Sequence, residues 1–332
     1  MKLSKFLPLF VVASLTACSY QEVKYDTYFC FDTTVAMSVK TSNKTVFKEL
    51  KNILSFYDKI CDNYEARDIF NVYSLNHTNE VIYFDESKPV ELYEIIESIY
   101  NLKDEGATYF NPLCGSLAKK WKDALAKKEV LDSVTIQEEL DKMNSSSLVF
   151  GLDGSTQTIQ RVGDAELDLG AVAKGFALDA CLAYLKNDQP NIVDYVIDAG
   201  SSSILLGENT RYTNPSGDKN DYKIKVKDLK DTYFTAHNCF ISTSGSAEQG
   251  VEINGVTYSH IVNPFTGNVI PENDTVIVLS ECGYYGDALS TSMVFNTLEE
   301  IKEIEKERNV QAIVIKNHEI IYKNDKINVM HG

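Results

Sequence analysis

Two short stretches near the C-terminus carry residue types whose spacing can do chemistry: His260-Ile261-Val262-Asn263-Pro264-Phe265-Thr266-Gly267 and Asp287-Ala288-Leu289-Ser290-Thr291. A histidine on a strand entering a Pro/Gly turn offers a base that titrates near neutral pH. A carboxylate and a hydroxyl at i, i+4 share one helix face and present two hard oxygens to a divalent ion. A third stretch, Glu166-Leu167-Asp168-Leu169-Gly170-Ala171-Val172-Ala173-Lys174-Gly175, reads as strand, tight turn and helix. Gly170 and Ala171 remove side-chain bulk where that helix begins, and free N–H groups there favour an anion. Lys174 adds a point charge suited to phosphate. The three together point to phosphate chemistry on a nucleotide. Each alone has a plainer reading: Asp287 as a helix N-cap, Gly170 and Ala171 as packing, His260 as an ordinary satisfied histidine.

Positioning these residues requires helices early in the chain and hairpins late. Residues 44–61 carry Val46, Leu50, Ile53, Leu54, Tyr57 and Ile60 at helical spacing, and 90–103 repeat it with Leu92, Ile95, Ile96 and Ile99. A further helix is expected from Leu113 to Lys127 with Trp121 on its inner face, and Thr135-Ile136-Gln137-Glu138 has the form of a capping box. Residues 25–40 alternate as strands. Asp153-Gly154 and Asn254-Gly255 read as hairpin turns, and the chain closes with strands at 311–315 and 319–322. Asp198-Ala199-Gly200-Ser201-Ser202-Ser203 and Ser242-Thr243-Ser244-Gly245-Ser246 read as two corners after apolar runs. No linker or repeat divides the chain. The pattern predicts an α+β fold, mixed or antiparallel sheets with helices packed on them, as one domain over 28–332.

Acidic side chains number 48 against 32 basic ones, a net charge of −16. Such a surface excludes general nucleic-acid binding, which depends on Lys/Arg contacts with phosphate. The first residues are set apart. Lys2 and Lys5 precede an apolar run from Phe6 to Leu15, too short to span a bilayer, and Leu15-Thr16-Ala17-Cys18 resembles the bacterial lipoprotein cleavage box. The expectation is a signal peptide over 1–17, lipidation at Cys18 and a tether over 18–27. That places the chain on a cell membrane, facing the periplasm or the outside. The other six cysteines are scattered without zinc or redox spacing.

The ordered set of motifs E-L-D-L-G-A-V-A-K-G-F-A-L-D, S-T-S-G, H-I-V-N-P-F-T-G and D-A-L-S-T resembles the family of bacterial FAD:protein FMN transferases, from about Phe31 to the final hairpin. The resemblance implies the T-fold-like architecture of flavin transferases. It implies an enzyme that uses Mg²⁺ and FAD as substrate, transfers FMN to a threonine or serine hydroxyl of an acceptor flavoprotein, and releases AMP. By motif position, the Ala171 carbonyl, Asp287 and Thr291 would hold magnesium. Asp168, Lys174 and Ile261 would contact FAD, with His260 as the base. Tyr109, Phe110 and Asn111 resemble the family's cofactor-facing stretch, and Phe31 and Tyr64 align as flavin- or adenine-facing aromatics.

This chain departs from the family at four places. Asn111 and Asn263 stand where aspartate is usual, Ser201 stands for a second glycine, and Ala247-Glu248-Gln249 replaces aromatic and basic residues. Two other outcomes keep the same pocket: an exported Mg²⁺-dependent FAD pyrophosphatase giving FMN and AMP, or a non-catalytic FAD-binding lipoprotein.

Overall fold

The computed structural model describes residues 22–211, 221–227, 229–245, 250–271 and 274–331. The expected signal segment, Cys18 and Ala247-Glu248-Gln249 lie outside the described residues.

Eight strands form the main sheet, in spatial order β1 (Glu22–Cys30), β2 (Thr33–Thr41), β6 (Tyr195–Ala199), β7 (Ser203–Leu206), β10 (Cys239–Gly245), β14 (Asp274–Ser280), β15 (Gln311–Lys316) and β16 (Glu319–Lys323). Every neighbouring pair is antiparallel, as expected of an α+β chain rich in hairpins. β1 corrects the tether. Residues 22–27 belong to the strand, paired with β2 from Glu22 opposite Thr41 onward.

Alternation in β2 sends Val35, Met37 and Val39 to one face. There they meet α1 (Val46–Cys61) and α6 (Ala173–Asn187) through Leu50, Leu54, Leu178 and Cys181. The other face, from β7 to β15, is covered by a small sheet ordered β17 (Val329–His331), β9 (Thr232–Ala236), β8 (Tyr222–Lys225). Phe234 and Ile327 pack there on Ile241, Ile277 and Ile313.

The largest core lies beside the main sheet. It joins α2 (Val72–Asn76), α3 (Val90–Tyr100), α4 (Gly115–Ala126), α5 (Ser133–Asn144), α7 (Gly283–Met293) and α8 (Leu298–Arg308). Two three-stranded sheets complete it: β3 (Ile82–Phe84), β5 (Thr156–Val162), β4 (Ser147–Asp153); and β11 (Val251–Ile253), β12 (Val256–Val262), β13 (Val269–Pro271). Trp121 is buried at its centre, and its indole N–H donates to the Gly267 carbonyl at 2.7 Å. That bond pins the turn that follows His260.

Local chemistry explains where the elements depart from expectation. α5 starts at Ser133 because Asp132 accepts the N–H groups of Val134 and Thr135, so Thr135 is not its cap. The β4–β5 turn is Gly154-Ser155, one residue later than expected, since Asp153 still pairs with Thr156. The 166–170 stretch forms no strand. Ser242 to Gly245 is the end of β10, not a corner.

Candidate functional site

The site is built where α6 and α7 touch backbone to backbone. Gly175 and Gly283 make this possible: a Cβ on Gly175 would sit 2.5 Å from the carbonyl carbon and oxygen of Gly283. Asp179, one turn along α6, accepts the Gly283 and Tyr284 N–H groups at 2.8 and 2.9 Å. It satisfies two orphan donors at the start of α7 from another helix.

Asp287 is therefore not an N-cap. It lies in the second turn of α7, 4% exposed, and points at β7, β10 and α6. Ser242 Oγ donates to Asp287 Oδ1 at 2.6 Å, Ser203 Oγ at 2.9 Å, and the Gly175 N–H reaches Oδ2 at 2.8 Å. The two serine-rich stretches thus converge on one carboxylate. Burial drives the Asp287 pKa up to about 7, against the opposing pull of Ser242, Lys174, Ser203 and the Gly175 N–H. A neighbouring cation would lower that pKa and hold the carboxylate ionised at neutral pH. Thr291, one turn on, shares its hydroxyl with Ser244 Oγ at 3.1 Å. Among the described residues there is no group of three or more His, Cys, Asp or Glu side chains that could hold a metal. Asp287, Thr291 and Ala171 line the same cleft, and a carboxylate, a hydroxyl and a carbonyl are donor types that suit magnesium shared with phosphates rather than zinc.

α6 begins at Ala173, two residues later than expected, with Val172 as its cap residue. Gly170 and Ala171 are exposed in the turn before it, and Asp168 Oδ1 accepts the Gly170 N–H at 2.7 Å. Desolvation raises the Asp168 carboxyl above its usual range despite that bond and the nearby Lys119.

His260 is carried by β12 and is open to solvent within the cleft. The surrounding walls desolvate the imidazolium, and Lys174 and then Lys122 repel it, so its pKa lies below 6.5. At neutral pH the imidazole is a free base. On the activity that the sequence resemblance implies, His260→Ala should lower turnover by about 10²–10⁴-fold, with FAD affinity changed only a few-fold in a direct titration. At saturating Mg²⁺, which keeps Asp287 ionised, kcat/KM for FAD should fall with acid only below pH 6.5, and this limb should vanish in the variant.

All twelve residues singled out in the fold for ligand, metal or base roles line a single cleft of about 710 Å³: Phe31, Tyr64, Tyr109, Phe110, Asn111, Asp168, Ala171, Lys174, His260, Ile261, Asp287 and Thr291. That volume suits a dinucleotide-sized ligand. Phe31 and Asp32 form the β1–β2 turn with φ of 52° and 54°, a left-handed pair that commonly takes Asn-Gly. The Phe31 N–H is held by Asp58 Oδ1 at 2.7 Å. Tyr109 wedges between Phe265 and Phe295, with centroids 5.4 and 5.5 Å away. Tyr64 is half exposed beneath Lys122, whose Nζ lies 4.3 Å from the ring centroid.

Two of the departures are accommodated by local geometry. Asn263 Oδ1 accepts from Phe265 and Thr266, and Asn111 Oδ1 accepts from Leu113, bonds that an aspartate would make equally well. Ser201 is the exception. Its φ of 65° is a glycine conformation. We expect Ser201→Gly to raise the urea midpoint, by a net gain of about 0.5 kcal/mol.

Sequence reasoning missed Asp179, Lys122, Asp58 and Arg67, which also shape or line the cleft. Lys119 and Lys122, one turn apart on a predicted helix beside Trp121, were a readable signal for a basic wall.

The α+β scaffold gathers a buried carboxylate, a hydroxyl, a lysine and a histidine around one nucleotide-sized cleft. Residues 31–314 match the model of the ApbE family, and the chain belongs to that family. It is 26% identical over 215 residues to the FAD:protein FMN transferase of Treponema pallidum, covering 60% of this chain and 58% of that protein. The FAD:protein FMN transferase of Klebsiella pneumoniae is 28% identical over 240 residues, covering 71% of this chain and 72% of the relative. The chain spans 58% and 63% of the length of the Treponema pallidum and Chlamydia trachomatis relatives. In fold it resembles the crystal structure of the ApbE protein of Thermotoga maritima, with a TM-score of 0.73, 20% identity, and coverage of 92% and 97% of the two chains. It also resembles the flavin transferase ApbE of Vibrio cholerae, with a TM-score of 0.69, 18% identity, and coverage of 94% and 97%.

Proposed function

We propose that this chain transfers FMN from FAD to a serine or threonine hydroxyl of an acceptor flavoprotein and releases AMP. The observation that carries this reading is the buried Asp287 carboxylate, aimed with Thr291 into the same cleft as Lys174 and His260. Asp287, Thr291 and the Ala171 carbonyl would hold Mg²⁺, which when bound supplies charge neutralisation on the pyrophosphate. Lys174 binds and orients a phosphate oxygen. The neutral His260 imidazole accepts the proton of the incoming hydroxyl. The hydroxyl oxygen bonds to the FMN phosphorus as the bond to the AMP oxygen breaks. Asp168, Ile261, Tyr109, Phe110, Asn111, Phe31 and Tyr64 form the walls that hold FAD and keep water from the phosphorus. Family membership supports the same reading.

We propose further that the chain is exported and anchored to a membrane through lipid on Cys18. With β1 starting at Glu22, only three residues would separate anchor and fold.

The test is one incubation of the chain beginning after Cys18 with FAD, Mg²⁺ and a purified flavin-acceptor domain. The expected result is an acceptor heavier by one FMN, with AMP released in equal amount. FMN and AMP released with the acceptor unmodified would make the chain a pyrophosphatase. FAD bound and unchanged would make it a binding protein.

A further inference from the structure

A second cavity of about 490 Å³ lies on the opposite face of the main sheet from Asp287. Its floor includes Ile204, Ile241 and Ile277, and its wall is the run Lys223 to Lys227 in and after β8. Consecutive residues of a strand point to alternate faces. A cavity that touches Lys223, Ile224 and Lys225 in succession, and then Val226 and Lys227 just past the strand, therefore runs along the backbone edge of β8. Among the described residues β8 pairs only with β9, so this edge is the open side of its sheet. Lys223 (over the Tyr233 ring), Lys225 and Lys227 are exposed along it and outnumber the one carboxylate among the described residues of the cavity lining, Asp198, a local positive stripe on a chain of net charge −16.

The groove leads to the cleft. Thr243 and Gly245 line both cavities. They lie at the end of β10, where Ser242 and Ser244 turn to the other face and reach Asp287 and Thr291.

We propose that this groove, on the function proposed above, docks the acceptor polypeptide. An extended acidic segment adds to the free edge of β8, main chain to main chain, with carboxylates against the lysine stripe. Its hydroxyl-bearing residue passes Thr243 and Gly245 into the FAD cleft. At about 3.3 Å per residue, some six to eight residues cover the edge and turn the corner. Specificity then rests on an extended, negatively charged stretch beside the modified residue.

The experiment is the triple variant Lys223→Glu/Lys225→Glu/Lys227→Glu, with a purified flavin-acceptor domain as probe. We expect the acceptor's KM to rise about tenfold or more, with kcat and FAD affinity unchanged. Adding the acceptor domain to the wild-type chain should also slow amide hydrogen exchange over 222–227. An unchanged KM, or unchanged exchange, overturns the proposal. So does a stripe whose reversal abolishes binding to phosphatidylglycerol vesicles without moving the acceptor KM, since the lysines would then serve a membrane surface. Failure of the wild-type chain to release AMP counts against the transferase reading instead, while the exchange measurement, which needs no turnover, still decides the docking.

Discussion

Asp287→Asn is expected to lower AMP release from FAD by about 10³-fold or more, equivalent to roughly 4 kcal/mol of transition-state stabilisation. The substitution removes the charge and preserves shape and volume. Ser203 and Ser242 can still donate to the remaining carbonyl oxygen, which retains the convergence of β7, β10 and α7, while the Gly175 N–H faces the new amide NH2 and loses its acceptor. What is lost is the negative charge that a divalent ion requires. Stability should show the same fact with opposite sign. A carboxyl whose folded pKa is raised from 3.8 to about 7 contributes stability below pH 3.8 and loses it as pH rises through 7. Without metal, the wild-type chain should therefore lose on the order of 3 kcal/mol relative to the variant between pH 5 and 8. Adding Mg²⁺ at pH 8 should raise the wild-type Tm and leave the variant unmoved. A variant that keeps Mg²⁺-dependent turnover, or that shares the wild type's pH trend, removes Asp287 from the cation site.

The parts of this molecule that were legible in sequence are those set by local rules. Periodicity placed α1, α3 and α4 within a few residues, because each buries one face against a core. Asn254-Gly255 sits where its dipeptide demands, with φ of 52° and 81°. α8 escaped notice although Thr297 and Glu300 form a complete capping box, since its body is largely charged and shows little apolar stripe. The site was legible in kind but not in construction. Asp287 reads as an N-cap because its partners, Ser203 and Ser242, lie 84 and 45 residues away. The serine stretches read as loops because small polar residues usually mark turns. Gly200 to Ser202 is indeed the β6–β7 turn, but Ser203 opens β7 and Ser242 to Gly245 ends β10, and the hydroxyls of Ser203 and Ser242 satisfy a buried carboxylate. Asp179 closes the E-L-D-L-G-A-V-A-K-G-F-A-L-D motif, but its role was not readable, because capping another helix across 104 residues leaves no local pattern.

Gly175→Ala is the substitution expected to cost most for the fewest atoms. The added methyl would meet Gly283 and Tyr284 backbone at 2.5 Å, and backbone cannot rotate aside as a long side chain can. Relief requires α6 and α7 to separate, and two sets of bonds oppose that. Asp179 ties the start of α7 to α6, and the Gly175 N–H itself donates to Asp287 Oδ2. Overpacking of this kind costs about 3 kcal/mol, which for a chain of this length lowers Tm by roughly 6 °C. The same displacement moves Asp287 away from Lys174 and the turn at Ala171, and activity should fall by at least 10²-fold, because misplacement of about 1 Å is enough. Gly283→Ala offers the control. Its methyl meets the Gly175 carbonyl at 2.5 Å and the Phe240 ring at 3.0 Å, so it strains the same contact from the other helix. Combined, the two substitutions should cost less than the sum of their separate effects, since the first separation of the helices makes room for the second. Strict additivity in a double-mutant cycle read by urea unfolding would mean that the two glycines do not share one contact, and that some other element sets the position of Asp287.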